Sequence, residues 1–368
     1  MKHDLRGTPE NAGRRGFLGY AGTGAMLLGV GGLALGRRAE AAASTQAGSS
    51  ADKPTASGNA PVDNPLTVAA DPTRLPPPIR RKHAVHHDIT LEAREVVARL
   101  ANGSEFHFMT WNGQVPGPMI RVRQGDTVTL TVRSQASNGN PHNIDLHAVF
   151  GSGGGAMDTL VVPGGSRSIF FKCMYPGAFI YHCAVPSMDQ HVSCGMFGMI
   201  LVEPEEGLSR VDREFYLGQH ELYTREPFGS SGRLHFDFAA LERADPNFVL
   251  FNGAVGAFTG EHALKAKVGE TIRVFMVCGG PNLSSSFHPI GNVWKHCWPE
   301  GAVTNAPLHN VQTQPVPPGS CFVGELELPV PETIKLVDHA LTRVVRKGLL
   351  AEIAVEGPAN PAIYRAIG

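Results

Sequence analysis

From about residue 80 the chain is built of short runs that alternate apolar and polar side chains with a period of two, broken by turn residues. Ile120-Arg121-Val122-Arg123, Gln124-Gly125-Asp126 and Thr127-Val128-Thr129-Leu130-Thr131-Val132 read as strand, turn and strand. Similar runs follow at Ser166 to Phe171 and Ala178 to Cys183. Leu91 to Leu100 fits one helix or a charged strand, and its neighbours favour strand. Helical periodicity is otherwise scarce.

The pattern occurs twice. Trp111-Asn112-Gly113-Gln114-Val115 returns as Phe251-Asn252-Gly253-Ala254-Val255, Gly125-Asp126-Thr127-Val128 as Gly269-Glu270-Thr271-Ile272, and Pro163-Gly164 as Pro318-Gly319. The offsets are 140, 144 and 155 residues, a slow growth that fits a duplicated domain with loop insertions. The expectation is an all-β chain of two tandem antiparallel sandwiches, residues 79–207 and 208–368, with the boundary near Pro204 to Arg213.

Residues 1–43 read as an address. Arg14-Arg15-Gly16-Phe17-Leu18 precedes a Gly/Ala-rich apolar run, and Ala39-Glu40-Ala41-Ala42-Ala43 offers small residues for cleavage. This is the pattern of a twin-arginine signal peptide, and Ala21 to Gly36 is short for a membrane span. Residues 44–78, rich in Ser, Ala, Pro and Asp, read as a disordered linker. A soluble periplasmic protein without stable membrane insertion or lipid attachment is expected.

Composition narrows the chemistry. A net charge of −1 gives no reason to expect nucleic acid. The six cysteines form no CxxC pair and no CxxCH haem attachment, and their scatter suggests single buried thiols. The 16 histidines are the oddity. His191 lies eight positions after Cys183, and Met196 five positions after His191. Two imidazoles, a thiolate and a thioether make a mononuclear electron-transfer copper site, and upstream Pro141-His142-Asn143-Ile144-Asp145-Leu146-His147 offers the second imidazole.

Strand parity then splits the donors. Neighbouring side chains point to opposite faces, so His182 and Cys183 must diverge. His142 and His147 are an odd number apart, whereas Asp145 and His147 share a face. One set, His142 with Cys183, faces one metal. The other, His147 and His182 with Asp145 alongside, faces a second. In the second repeat the thiolate position has become Ala340 while His339 remains, so that copy should hold no electron-transfer copper of its own. His147, His182 and His339 are the candidates for a three-imidazole catalytic Cu or Zn. Asp145 reads as a proton donor beside that metal or as a turn residue. His288, at the end of a Ser-rich approach, reads as a general acid or a loop residue.

These residues resemble the copper-containing nitrite reductases, over most of the stretch from about 90 to 360. The matching segments are His142 to His147, Tyr181-His182-Cys183-Ala184, His191 to Met196, Ser285-Ser286-Phe287-His288 and Leu336-Val337-Asp338-His339-Ala340. The short link between Cys183 and His191 resembles the branch that includes the outer-membrane enzyme of pathogenic Neisseria. The resemblance implies two cupredoxin-like Greek-key sandwiches and two coppers per chain. It assigns type 1 copper to His142, Cys183, His191 and Met196. It assigns type 2 copper to His147, His182 and His339, the last donated across the interface of a homotrimer. Asp145 and His288 become a proton-handling pair, and Ile290 shapes a nitrite pocket. The implied reaction is one-electron reduction of nitrite to nitric oxide, the electron coming from a small cupredoxin or cytochrome c. Pro289, Cys194 and a second methionine, Met188, depart from the pattern. Two alternatives share the fold: a two-domain multicopper oxidase, which needs His-x-His pairs, and a copper electron carrier without catalysis. Copper counts of about two, four and one per chain separate the three.

Overall fold

A computed structural model describes residues 67–367. The expected signal segment, 1–43, lies outside them. The first half carries strands β1 (His86–Ala101), β2 (Ser104–Trp111), β3 (Ile120–Arg123), β4 (Thr127–Ser134), β5 (Asp145–Leu146), β6 (Ser166–Lys172) and β7 (Gly177–His182), a short helix α1 (Met188–Ser193), and β8 (Phe197–Glu203). The second carries β9 (Arg213–Leu222), β10 (Gly232–Arg233), β11 (Phe248–Phe251), β12 (Leu264–Lys267), β13 (Thr271–Gly280), β14 (Ser285–Ile290), β15 (Trp294–Trp298), β16 (Leu308–Val311), β17 (Gln314–Val316), β18 (Ser320–Glu327), β19 (Glu332–Asp338) and β20 (Ala351–Glu356). The ambiguous Leu91–Leu100 segment is strand.

Each half is a cupredoxin-like sandwich, and the duplication is visible in the pairing. The first stacks β2-β1-β4-β6, with β10 from the second half added beside β2, on β3-β8-β7-β5; the second stacks β11-β9-β13-β18-β15-β16 on β12-β20-β19-β14-β17. β1 is antiparallel to β2 and parallel to β4, as β9 is to β11 and β13. The repeated Asn-Gly turns match in dihedral angle: Asn112 and Gly113 have φ of 56° and 77°, Asn252 and Gly253 51° and 79°. Both asparagines serve the same end, since Asn112 Oδ1 accepts the Glu92 N–H at 2.7 Å and Asn252 Oδ1 the Gly218 N–H at 2.8 Å. Two successive positive φ angles are what Asn-Gly supplies at low cost.

The sandwiches are joined by shared apolar surface and buried charge. One contiguous core runs from Trp111, Tyr181 and Phe197 of the first half into Tyr216, Phe275 and Val323 of the second. Arg121 crosses the same boundary to bind Glu214 at 2.6 Å; it also binds Glu203 at 2.5 Å in its own half, and Arg273 ties Glu214 at 2.9 Å to Glu325 at 2.6 Å within the second.

The linker expectation needs correction at its end. Residues 67–78 are packed on the fold: Val68 and Ala70 are buried, and Ala70 N–H and Val115 N–H exchange bonds with Val115 O and Val68 O at 3.0 and 2.8 Å. Asn252 Nδ2 adds a bond to Ala70 O at 2.9 Å. Two inward side chains are too short a pattern to read as a strand, but the ladder edge they cover is real. All six cysteines are free and buried, as expected. No described helix is long and apolar enough to cross a membrane.

Candidate metal centres

The end of β7 makes the site. His182 is its last residue and pairs with Asp145 of β5, while His147 N–H bonds Ile180 O at 3.0 Å. The parity argument is met in three dimensions. Side chains of His142, Cys183 and His191 converge on one side, and those of Asp145, His147 and His182 on the other. Among the described residues these are the two groups of three or more His, Cys, Asp or Glu side chains able to hold a metal.

The first group is closed. Cys183 Sγ lies 3.8 Å from His142 Nδ1 and 3.5 Å from His191 Nδ1, and all three side chains are buried. Met196 is fully buried and tied to the group through the backbone, its carbonyl accepting Cys183 N–H at 3.0 Å and its N–H bonding His191 O at 3.0 Å. Met188, by contrast, is exposed at the start of α1. Asn143 holds the other flank: its Oδ1 accepts Ala184 N–H at 2.7 Å and faces Sγ at 3.9 Å. Burial pushes the Cys183 thiol up to about 11 and, with the nearby His142 imidazole, pulls His191 down to about 4. Two imidazoles aimed at a sulfur that burial disfavours as a free thiolate form a donor set suited to a soft cation that takes the place of the thiol proton.

The second group is open. His147 is exposed, Asp145 half-buried and His182 buried. His182 Nδ1–H donates to Cys183 O at 3.0 Å, which leaves its Nε2 lone pair facing His147 Nε2 at 3.1 Å. Two ring nitrogens so close need a proton or a cation between them. Partial burial and the His182 imidazole lower the His147 pKa, with the Asp145 carboxylate opposing. Asp145 Oδ2 stands 3.9 Å from His182 Nε2. A glycine run that sequence reasoning passed over packs on this acid. At Gly154, with φ of 62°, a Cβ would fall 1.9 Å from Asp145 Oδ1.

His339 is not in this group. It sits after β19 with its N–H on Ser286 O at 2.8 Å, and its ring lies edge-on to His288 at 5.4 Å. His288 Nδ1–H donates to Gln312 O at 2.6 Å, and Ile290 is exposed on the same strand. Within one chain, therefore, His339 lies beside His288, apart from Asp145, His147 and His182. Pro289 lies beyond the β17 ladder, which ends at Phe287, and keeps its register in the β19 ladder opposite Leu336. The second sandwich has no thiolate group of its own among the described residues.

These features define a two-domain cupredoxin copper protein with one buried sulfur site and one open imidazole site. A family model described as multicopper oxidase matches residues 92–207. The chain is 42% identical to the copper-containing nitrite reductase of Neisseria meningitidis serogroup B, covering 83% of this chain and 78% of that one. It is 35% identical to the copper-containing nitrite reductase of Cereibacter sphaeroides, over 81% and 86%. The copper nitrite reductase structure from Nitrosomonas europaea superposes with a TM-score of 0.67 at 33% identity, over 75% of this chain and 96% of that one. The chain belongs to the copper-containing nitrite reductases. It is an oxidoreductase of that family. Against the oxidase alternative stands Ala184, which follows Cys183 where a His-Cys-His run would be required.

Proposed function

We propose that the protein reduces nitrite by one electron to nitric oxide: nitrite, one electron and two protons give nitric oxide and water. The observation that carries this is the adjacency of His182 and Cys183, consecutive residues whose side chains enter two different donor groups. His142, Cys183, His191 and Met196 would hold one copper, and His147 and His182 a second, completed by His339 from a neighbouring copy in a homotrimer. When bound, copper supplies one-electron redox chemistry at both groups and Lewis acidity toward a nitrite oxygen at the open one.

The chain's own residues do the rest. Cys183 and the His182 backbone give the shortest covalent path between the groups. A small cupredoxin or cytochrome c delivers the electron on the surface near α1. Asp145, clamped by the Gly154 backbone, protonates the oxygen that leaves as water, since oxide cannot leave unprotonated. His288, held by Gln312 O, passes the second proton. Ile290 closes the pocket against bulkier anions. The open half-site pairs Asp145 with two imidazoles, and the other half-site presents His288, Ile290 and His339 to solvent; each lacks what the other carries. The Arg14-Arg15 segment would direct export to the periplasm, where a small donor can reach the protein.

The test uses mixed assemblies. Both His147→Ala and His339→Ala should keep the visible thiolate band but lose the open-site copper and nitric oxide production. Trimers assembled from the two variants should regain part of the activity, because some interfaces then carry neither substitution. Verified mixed trimers no more active than either parent would overturn the shared site, and about four coppers per chain would favour the oxidase.

A further inference from the structure

The inward face of β1 carries Leu91 and Ala93, both buried, and then an acid, Glu95, at the next inward position. Its side chain is 4% exposed. Oε1 accepts three bonds: from Asn140 N–H at 2.8 Å, from Asn140 Nδ2 at 3.1 Å, and from His142 Nε2–H at 3.2 Å. Oε2 faces Nε2 of the half-exposed His107 at 3.6 Å. An oxygen that only accepts is a carboxylate oxygen. A buried carboxylate is costly unless it is paired, and the side chains that meet this one are an amide and two imidazoles, Asn140, His142 and His107. One imidazole beyond this carboxylate lies the thiolate group that would hold copper.

We propose that Glu95 is a positioning residue for the buried copper: it locks His142 in the tautomer that turns Nδ1 to Cys183, and its charge lowers the reduction potential of that centre. The first effect is geometric. With Nε2–H committed to the carboxylate, Nδ1 keeps its lone pair 3.8 Å from Sγ, the arrangement by which an outer carboxylate orients a ligating imidazole. The second is electrostatic. Divalent copper with one thiolate carries a net charge of about +1 and the reduced centre about zero, by formal charge count. A fixed anion nearby therefore stabilises the oxidised form. The inference rests on reading His142 as a ligand of the buried copper.

The experiment is a redox titration of the copper-loaded protein, followed by the thiolate band, for Glu95→Gln, Glu95→Asp and Glu95→Ala. Glu95→Gln keeps the volume and removes the charge. It should retain the band and raise the midpoint by about a tenfold change in the electron equilibrium, which is about 59 mV for one electron. Glu95→Asp keeps the charge and should stay near the parent potential. Glu95→Ala should weaken copper retention at the buried site by about 10- to 100-fold. A cooperatively melting Glu95→Gln protein with the parent's potential and copper affinity would overturn the proposal. Should Glu95→Gln fail to fold, the same potential in Glu95→Asp and Glu95→Ala would overturn it instead. A parent protein with no thiolate band at all would sink the copper assignment itself, a failure distinguishable from the other two.

Discussion

Two groups of ligand side chains meet back to back at the end of β7, and they differ in what surrounds them. His142, Cys183 and His191 are buried, and Met196, Asn143 and Glu95 enclose them. Asp145, His147 and His182 open toward solvent, with a glycine loop on one side and, among the described residues, no third imidazole in the group. A closed set of fixed donors resists the geometric change that accompanies gain of an electron, which suits transfer. An open set leaves room for a small anion and for proton donors, which suits chemistry. The same strand end provides both because successive residues point to opposite faces.

The comparison breaks most sharply at Cys183. Cys183→Ala should abolish the visible absorption completely and stop turnover with any protein donor, while the spin-resonance signal of the open centre persists. A surviving visible band would place the sulfur ligand elsewhere, Cys194, two residues before Met196, being one alternative.

Asp145→Asn probes the open side alone. It keeps the volume but cannot cycle a proton, so turnover should fall by roughly 10²- to 10⁴-fold, the usual contribution of a placed general acid. Both coppers should stay bound, and reduction of the buried centre by a donor should be unchanged in rate. Near-parental turnover with full copper would make Asp145 a structural residue and leave the protons to His288.

The smallest effect is a stability slope in copper-free protein. Burial holds His191 at about 4 in the folded state against about 6.5 unfolded. The stability it contributes is therefore complete above pH 6.5 and is lost as pH falls from 6.5 toward 4. His191→Gln should remove up to one proton from that slope, at most about 1.4 kcal/mol per pH unit. His220, buried with Nδ1 on Ser193 O and also held near 4, should retain its share in the variant. Urea midpoints across this range, equal in slope for parent and variant, would show that His191 is not desolvated in the copper-free fold.

Much of this was legible in the chain itself. The period-two runs announced an all-β fold, the recurring Asn-Gly and Pro-Gly turns announced its duplication, and the parity of residues 142–147 and 182–183 sorted the donors into two groups. Each of these is local: alternation, turn chemistry and short spacing survive in one dimension. What only tertiary structure decided lies at long separation. Glu95 reaches His142 across 47 residues, and nothing around residue 95 marks it except an acid on an inward face. The Asn143 clamp and the Gly154 contact with Asp145 likewise depend on how loops fold back over β5 and β7. Residues 67–78 looked like linker because their burial comes from Val115 and Asn252, far along the chain. The company of His339 was a tertiary matter too: β19 places it beside His288, away from His147 and His182, because sheet pairing, and not sequence spacing, chooses its neighbours.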